Sequence, residues 1–228
     1  MLLQVDPIPK GLPAIDLVAR IAIALSVVPT ESRLEFVRYR PRPGAAQRLG
    51  MKTDDAPSFL NEARDPGSLS RVVGELISHQ QNEDEATVSL ARADVLGHGL
   101  EGLQLGLAAD MVLGVSSRVT TGEGLTRHLP LLDMKVPPGA GMPDAVRDIA
   151  RAMGVVHGAV VESGGSYHLY GFQLLDPGEW VSFTARALLA QPFVDTRYVA
   201  HRMLAGRAVL RLTTCALKPV EPTVALAF

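Results

Sequence analysis

The sequence has one cysteine, Cys215, among 228 residues, and only 4 of its 22 basic side chains are Lys. A single thiol excludes an intramolecular disulfide framework and any zinc site built on several cysteines, and it fits a reducing, cytoplasmic compartment. Aromatic residues make up 5% of the chain. Long apolar runs are missing as well. The longest near the N-terminus, residues 21–28, is far short of the ~20 residues that span a bilayer. Asp6, Lys10, Asp16 and Arg20 interrupt the region where a signal peptide would have its basic start and apolar core. These absences predict a chain with no membrane partner.

What is present points to a folded protein. Hydrophobic residues are 47% of the sequence and the mean hydropathy is +0.17, enough apolar surface to offset the chain entropy of folding. The length fits one large domain or two small ones. Net charge is −2 but unevenly spread: residues 1–110 carry 11 basic and 15 acidic side chains, and residues 111–228 carry 11 and 9. From Arg186 onward six basic residues face only Asp195 and Glu221. Such a local Arg surplus attracts nucleotides or nucleic acid. The Arg-for-Lys bias is also what GC-rich coding produces.

Periodicity predicts helices over residues 12–28, 68–79, 143–153, 179–189 and 195–204. Pro143 opens the third, and Asp195 and Gly206 bracket the last as N-cap and stop. Strands are expected over 34–40, 87–93, 103–108, 111–119, 129–136, 157–162, 167–174, 207–213 and 223–228, with glycines 97, 99 and 102 as a turn and TTGEG joining 111–119 to 129–136 as a hairpin. Residues 44–67 read as a linker, and the acidic tract 82–85 as a solvated turn. The fold class is α+β, an antiparallel sheet covered by helices on one side. The domain organisation is a variable N-terminal α/β module over 1–86, with its linker, followed by a core over 87–228.

Three segments concentrate the polar residues: HLPLLDMKV (128–136), ESGGSYHLYG (162–171) and FVDTRYVAHRMLAGRAVLRLT (193–213). In the first, Asp133 ends an apolar strand, where a carboxylate can project into a cleft and bind a divalent cation. Lys135, two residues on, has the same strand facing; its ammonium can neutralise Asp133, contact a phosphate, or simply form a surface pair. In the second, Ser163, Gly164 and Gly165 can cradle phosphate oxygens with backbone N–H groups or merely close a tight hairpin. Ser166 and His168 share the next strand's face, a hydroxyl and an imidazole suited to holding a triphosphate or relaying a proton. In the third, Arg197 and His201 share one helix face, as do Tyr198 and Arg202. Asp195 is compatible with a catalytic carboxylate, though an N-cap explains it more simply. Arg211, flanked by apolar strand residues, must aim at a carboxylate or a ligand. A metal-dependent hydrolase using His128, Asp133 and His168 is a weaker alternative, since no H-E-x-x-H spacing occurs.

The order of these segments resembles the catalytic half of the archaeo-eukaryotic primase superfamily, over about residues 110–215. Within it, the segments resemble the primase-like domains of bacterial mobile-element and defence loci. The resemblance implies an RRM-like core joined to a second small α/β unit across an active-site cleft. It implies a nucleoside triphosphate and a nucleic acid template as partners, Mg²⁺ or Mn²⁺ as cofactor, and nucleotidyl transfer as activity. Asp133 then stands as first acid and metal ligand, Ser166 and His168 as the phosphate pair, and Asp195 as third acid. Lys135 occupies the second acid's position. Two ions ~3.5–4 Å apart need several carboxylate oxygens, and an ammonium there repels both. That departure leaves either a single ion held by Asp133 with nucleotide phosphates, or an inactive domain that binds nucleotide and template or serves as an assembly module.

Overall fold

The computed structural model describes residues 7–24, 31–41, 49, 61, 66–77 and 86–228. Within these the chain forms two antiparallel sheets and seven helices, an α+β fold. The first sheet contains β1 (Arg33–Tyr39), β2 (Ala86–Ala91), β3 (Val112–Thr120), β4 (Thr126–His128) and β8 (Val209–Arg211), in the order β2-β1-β3-β4 with β8 also on β3. One edge of β3 is shared: Arg118–Thr120 pairs with β4, and Gly114–Ser116 pairs with β8. Gly114 makes the second pairing possible, because a Cβ there would lie 2.7 Å from Val209 Cγ1 and 3.1 Å from the Leu210 carbonyl oxygen.

The second sheet has the order β5-β7-β6-β9, from β5 (Leu131–Asp133), β6 (Gly158–Glu162), β7 (Tyr167–Gly171) and β9 (Thr223–Ala227). Helix α5 (Met142–Ala152) connects β5 to β6, with β7 lying between those two strands, which is a split β-α-β unit. The other helices are α1 (Ala14–Ala24), α2 (Pro66–Ile77), α3 (Arg92–His98), α4 (Glu101–Gln104), α6 (Pro177–Leu189) and α7 (Thr196–Ala205). None is long and apolar enough to cross a membrane.

Strand alternation explains the layering. Leu132, Val160 and Leu169 pack with Val146 of α5, Phe183 and Ala187 of α6 and Val199 of α7. Their neighbours Leu131, Val161 and Tyr170 pack the opposite way, with Leu17 and Ile21 of α1 and Phe36, Leu113 and Val115 of the first sheet. The second sheet is therefore a middle layer buried on both faces, which is why its strands read as unbroken apolar runs.

Several expectations change. The helix-covered sheet exists, but the strands divide between two sheets. Residues 103–108 are not a strand: α3 and α4 occupy this region, and the buried Val95, Leu100 and Leu103 follow a helical spacing rather than alternating. Residues 129–136 are not the hairpin partner of 111–119. The partner is β4. Pro130, with no N–H to give a ladder, accepts from the Gly171 amide instead, and the run continues as β5 in the other sheet. β1 pairs with both β2 and β3 in the first sheet, and α1 packs into the core between the two sheets. Most of the expected linker over 44–67 and the acidic turn over 82–85 lie outside the described residues.

Candidate functional site

A cleft of about 290 Å³ opens between the two sheets. The first sheet supplies Val37, Tyr39, Val209, Leu210 and Arg211; the second supplies Asp133, His168 and the β6–β7 turn residues Ser163, Gly165 and Ser166. Tyr198 and Arg202 of α7, Pro41, and Lys218 from the β8–β9 connection complete the wall.

Asp133 and His168 are register partners across β5 and β7 and point to the same side of the sheet. Asp133 Oδ1 lies 3.9 Å from His168 Nε2, too far for a hydrogen bond. Burial pushes the Asp133 carboxyl up to about 7, helped by the nearby negative charge of Asp195 and opposed by Lys218, by hydrogen bonding to Ser166 and by Arg211. Burial pushes His168 down to about 3, and the positive charges of Arg211 and Lys218 add to the effect. The imidazole is thus neutral at pH 7. Its Nδ1 is buried without a hydrogen-bond partner.

Arg211 is 6% exposed and has no carboxylate partner among the described residues. It donates instead to three carbonyls, from Nη1 to Thr213 (2.7 Å) and Val220 (3.0 Å) and from Nη2 to Ser163 (2.7 Å). Burial lowers its pKa from the ordinary value, but a guanidinium stays charged. Tyrosines brace the same wall: Tyr198 Oη donates to the Val209 carbonyl at 3.0 Å, and Tyr170 Oη to that of Arg211 at 3.3 Å. Burial raises the Tyr39 phenol to about 12.

The cleft brings together Asp133, Ser163, Gly165, Ser166, His168 and Arg211 of the residues singled out in the sequence. Gly164 sits behind the turn at φ +109°, where an added Cβ would come within 3.1 Å of Val220 Cβ. Asp195 does not line the cleft. It caps α7, accepting from the Tyr198 amide at 3.0 Å, and acts on Asp133 only through its charge. Lys135 is exposed and outside the cleft, because β5 ends at Asp133. Met134 bridges to Val194, and the Lys135 amide donates to the Phe193 carbonyl, so the strand alternation does not carry Lys135 to the side of Asp133. His201 is half-buried on α7 but does not line the cleft; the 198/202 face of that helix does. His128 belongs to the core, with Nδ1 3.2 Å from Ser117 Oγ and its ring stacked at 4.6 Å on Trp180, which removes the hydrolase constellation. The residues missed are Tyr39, Pro41 and Lys218. Only the 198/202 spacing announced Tyr198 and Arg202, and nothing local marked Lys218.

The donor set does not fit two divalent ions. Among the described residues Asp133 is the one carboxylate lining the cleft, with Arg202, Arg211 and Lys218 as cations. The described residues contain no cluster of three or more His, Cys, Asp or Glu able to hold a metal.

A family model described as archaeo-eukaryotic primase 1D-like matches residues 98–220. This span holds every cleft residue except Val37, Tyr39 and Pro41. The chain belongs to this archaeo-eukaryotic primase-like family. No curated protein and no solved structure matches it.

Proposed function

We propose that this primase-like domain binds the phosphates of a nucleoside triphosphate in the cleft, next to a nucleic acid strand, and that two-metal nucleotidyl transfer does not operate there. The observation that carries this reading is the charge balance of the cleft: Arg202, Arg211 and Lys218 against one carboxyl, Asp133, whose pKa burial raises. An open cleft with that imbalance attracts oxyanions. Ser166 and His168 supply further polar groups on the same wall, and the His168 ring nitrogens suit a ligand hydroxyl or phosphate oxygen. Tyr39, Pro41 and Val37 give the opposite wall an apolar surface for a sugar or base. Mg²⁺ or Mn²⁺ is then carried by the nucleotide's phosphates, not by a set of protein ligands. The similarity to primase-like domains of mobile-element and defence loci supports a role as a binding or assembly subunit within a larger bacterial system.

The test is primer synthesis and extension by the wild type and by Asp133→Ala, with each nucleotide and with Mg²⁺ or Mn²⁺. No product from either protein is expected. Wild-type products that disappear in a folded Asp133→Ala variant would establish the enzyme instead.

A further inference from the structure

The connection over residues 213–222 leaves β8 in the first sheet and enters β9 in the second, so it runs across the cleft from one wall to the other. Arg211 holds it at two separated points through the Thr213 and Val220 carbonyls, and holds the β6–β7 turn through Ser163. Between those points the chain closes a turn in which Cys215 and Lys218 exchange backbone hydrogen bonds, at 3.1 and 2.9 Å, above a buried Cys215 side chain. Pro219 restricts Lys218 to extended backbone. Gly164 leaves room for Val220 on the underside. The two ends of the strap are also tied down, by the Leu113 amide donating to Thr213 Oγ1 at 2.9 Å and the Ala14 amide donating to the Pro222 carbonyl at 2.8 Å, while Leu217 and Val220 between them are 56% and 50% exposed. Yet Lys218 turns inward to line the cleft, and its charge reaches both Asp133 and His168.

We infer that Lys218 is a phosphate-contacting residue of the cleft, and that Arg211 is a positioning residue that staples the strap so that the Lys218 ammonium stands over the ligand's phosphates. The inference rests on the nucleotide reading of the same cleft. The chemistry suits the division: a planar guanidinium satisfies several carbonyls at fixed angles, and an ammonium on a flexible stem follows an oxyanion as a point charge. Three of the Arg211 N–H groups are committed to the fold, whereas the Lys218 ammonium has no ion pair among the described residues.

Calorimetric titration of the full chain with tripolyphosphate in EDTA tests this in the wild type, Lys218→Ala, Arg211→Lys and the double variant. Lys218→Ala is expected to weaken binding about tenfold or more, as loss of a charge-assisted contact does. Arg211→Lys keeps the charge but cannot span three carbonyls, so a similar loss is expected. The double variant should bind no worse than the weaker single, because both changes remove the same contact. In Arg211→Lys, hydrogen exchange at the Cys215 and Lys218 amides should accelerate while the Leu169 and Val160 amides stay protected. Should Arg211→Lys fail to fold by circular dichroism, Pro219→Gly takes its place. It leaves both cations intact and is expected to weaken binding several-fold by loosening the strap. Wild-type binding that is unchanged in Lys218→Ala, or losses that multiply in the double variant, overturn the strap inference alone. A wild type that binds no tripolyphosphate overturns the nucleotide reading, and the inference with it.

Discussion

Asp133 and His168 lie 3.9 Å apart and are each shifted chiefly by burial, in opposite directions, which makes the two separable by pH. The carboxyl pKa is raised in the folded state to about 7, so the proton it keeps contributes stability below about pH 4 that is lost as pH rises toward 7. The imidazole pKa is lowered to about 3, so its contribution is present above about pH 6.5 and is lost as pH falls toward 3. Thermal midpoints between pH 4 and 7 should therefore rise more steeply with pH in Asp133→Asn than in the wild type, and fall relative to wild type with rising pH in His168→Gln. Parallel profiles would refute the assigned shifts. Asp195 offers a second separation. Asp195→Asn keeps the cap on α7 but removes the charge, so the Asp133 carboxyl should titrate lower by carbon-detected NMR; Asp195→Ala should in addition cost about 1 kcal/mol of stability in urea denaturation. The facing of His168 could be read from the sequence because it lies within β7, whereas Ser166 reaches the cleft from the turn just before that strand. The facing of Lys135 could not, because alternation stops where a strand stops, and the three-residue β5 ends before it.

Element boundaries follow the same logic. Asp195 and Gly206 bracket α7 as expected, whereas the capping box of Asp176 and Glu179 at the start of α6 was not read and the predicted helix begins only at 179. Apolar runs were less informative, because a run buried on both faces has no period to mark where it changes partner. Residues 129–136 show this: the chain changes sheets at Pro130, against Gly171, where an added Cβ would collide with the proline ring. The close approach of β8 to β3 depends on Gly114 in the same way. Gly114→Ala should destabilise the protein by about 1–3 kcal/mol in chemical denaturation, since the new methyl meets a branched side chain and a backbone carbonyl rather than a flexible side-chain end. The same variant should weaken nucleotide binding, because β8 carries Val209, Leu210 and Arg211 into the cleft. Unchanged stability would contradict the packing described for that strand.

At the scale of the molecule, an overall charge of −2 conceals a local field. The Arg surplus after residue 186 places Arg202 and Arg211 on the cleft wall with Lys218, whose charge acts on Asp133, the one carboxyl among the described lining residues. Linear order could show the surplus but not its convergence, which needs β8, α7 and the 213–222 strap folded against the second sheet. Under the proposed reading, the cationic cleft between the two sheets serves phosphate binding, and one described carboxyl is too few for a two-ion site. The most direct measurement is calorimetric titration of the wild-type chain with ATP in divalent-free buffer at two salt concentrations. The account predicts binding without added metal that weakens as salt rises, because side-chain cations hold the phosphates. Binding that appears only when Mg²⁺ or Mn²⁺ is supplied, or no binding under either condition, would contradict it.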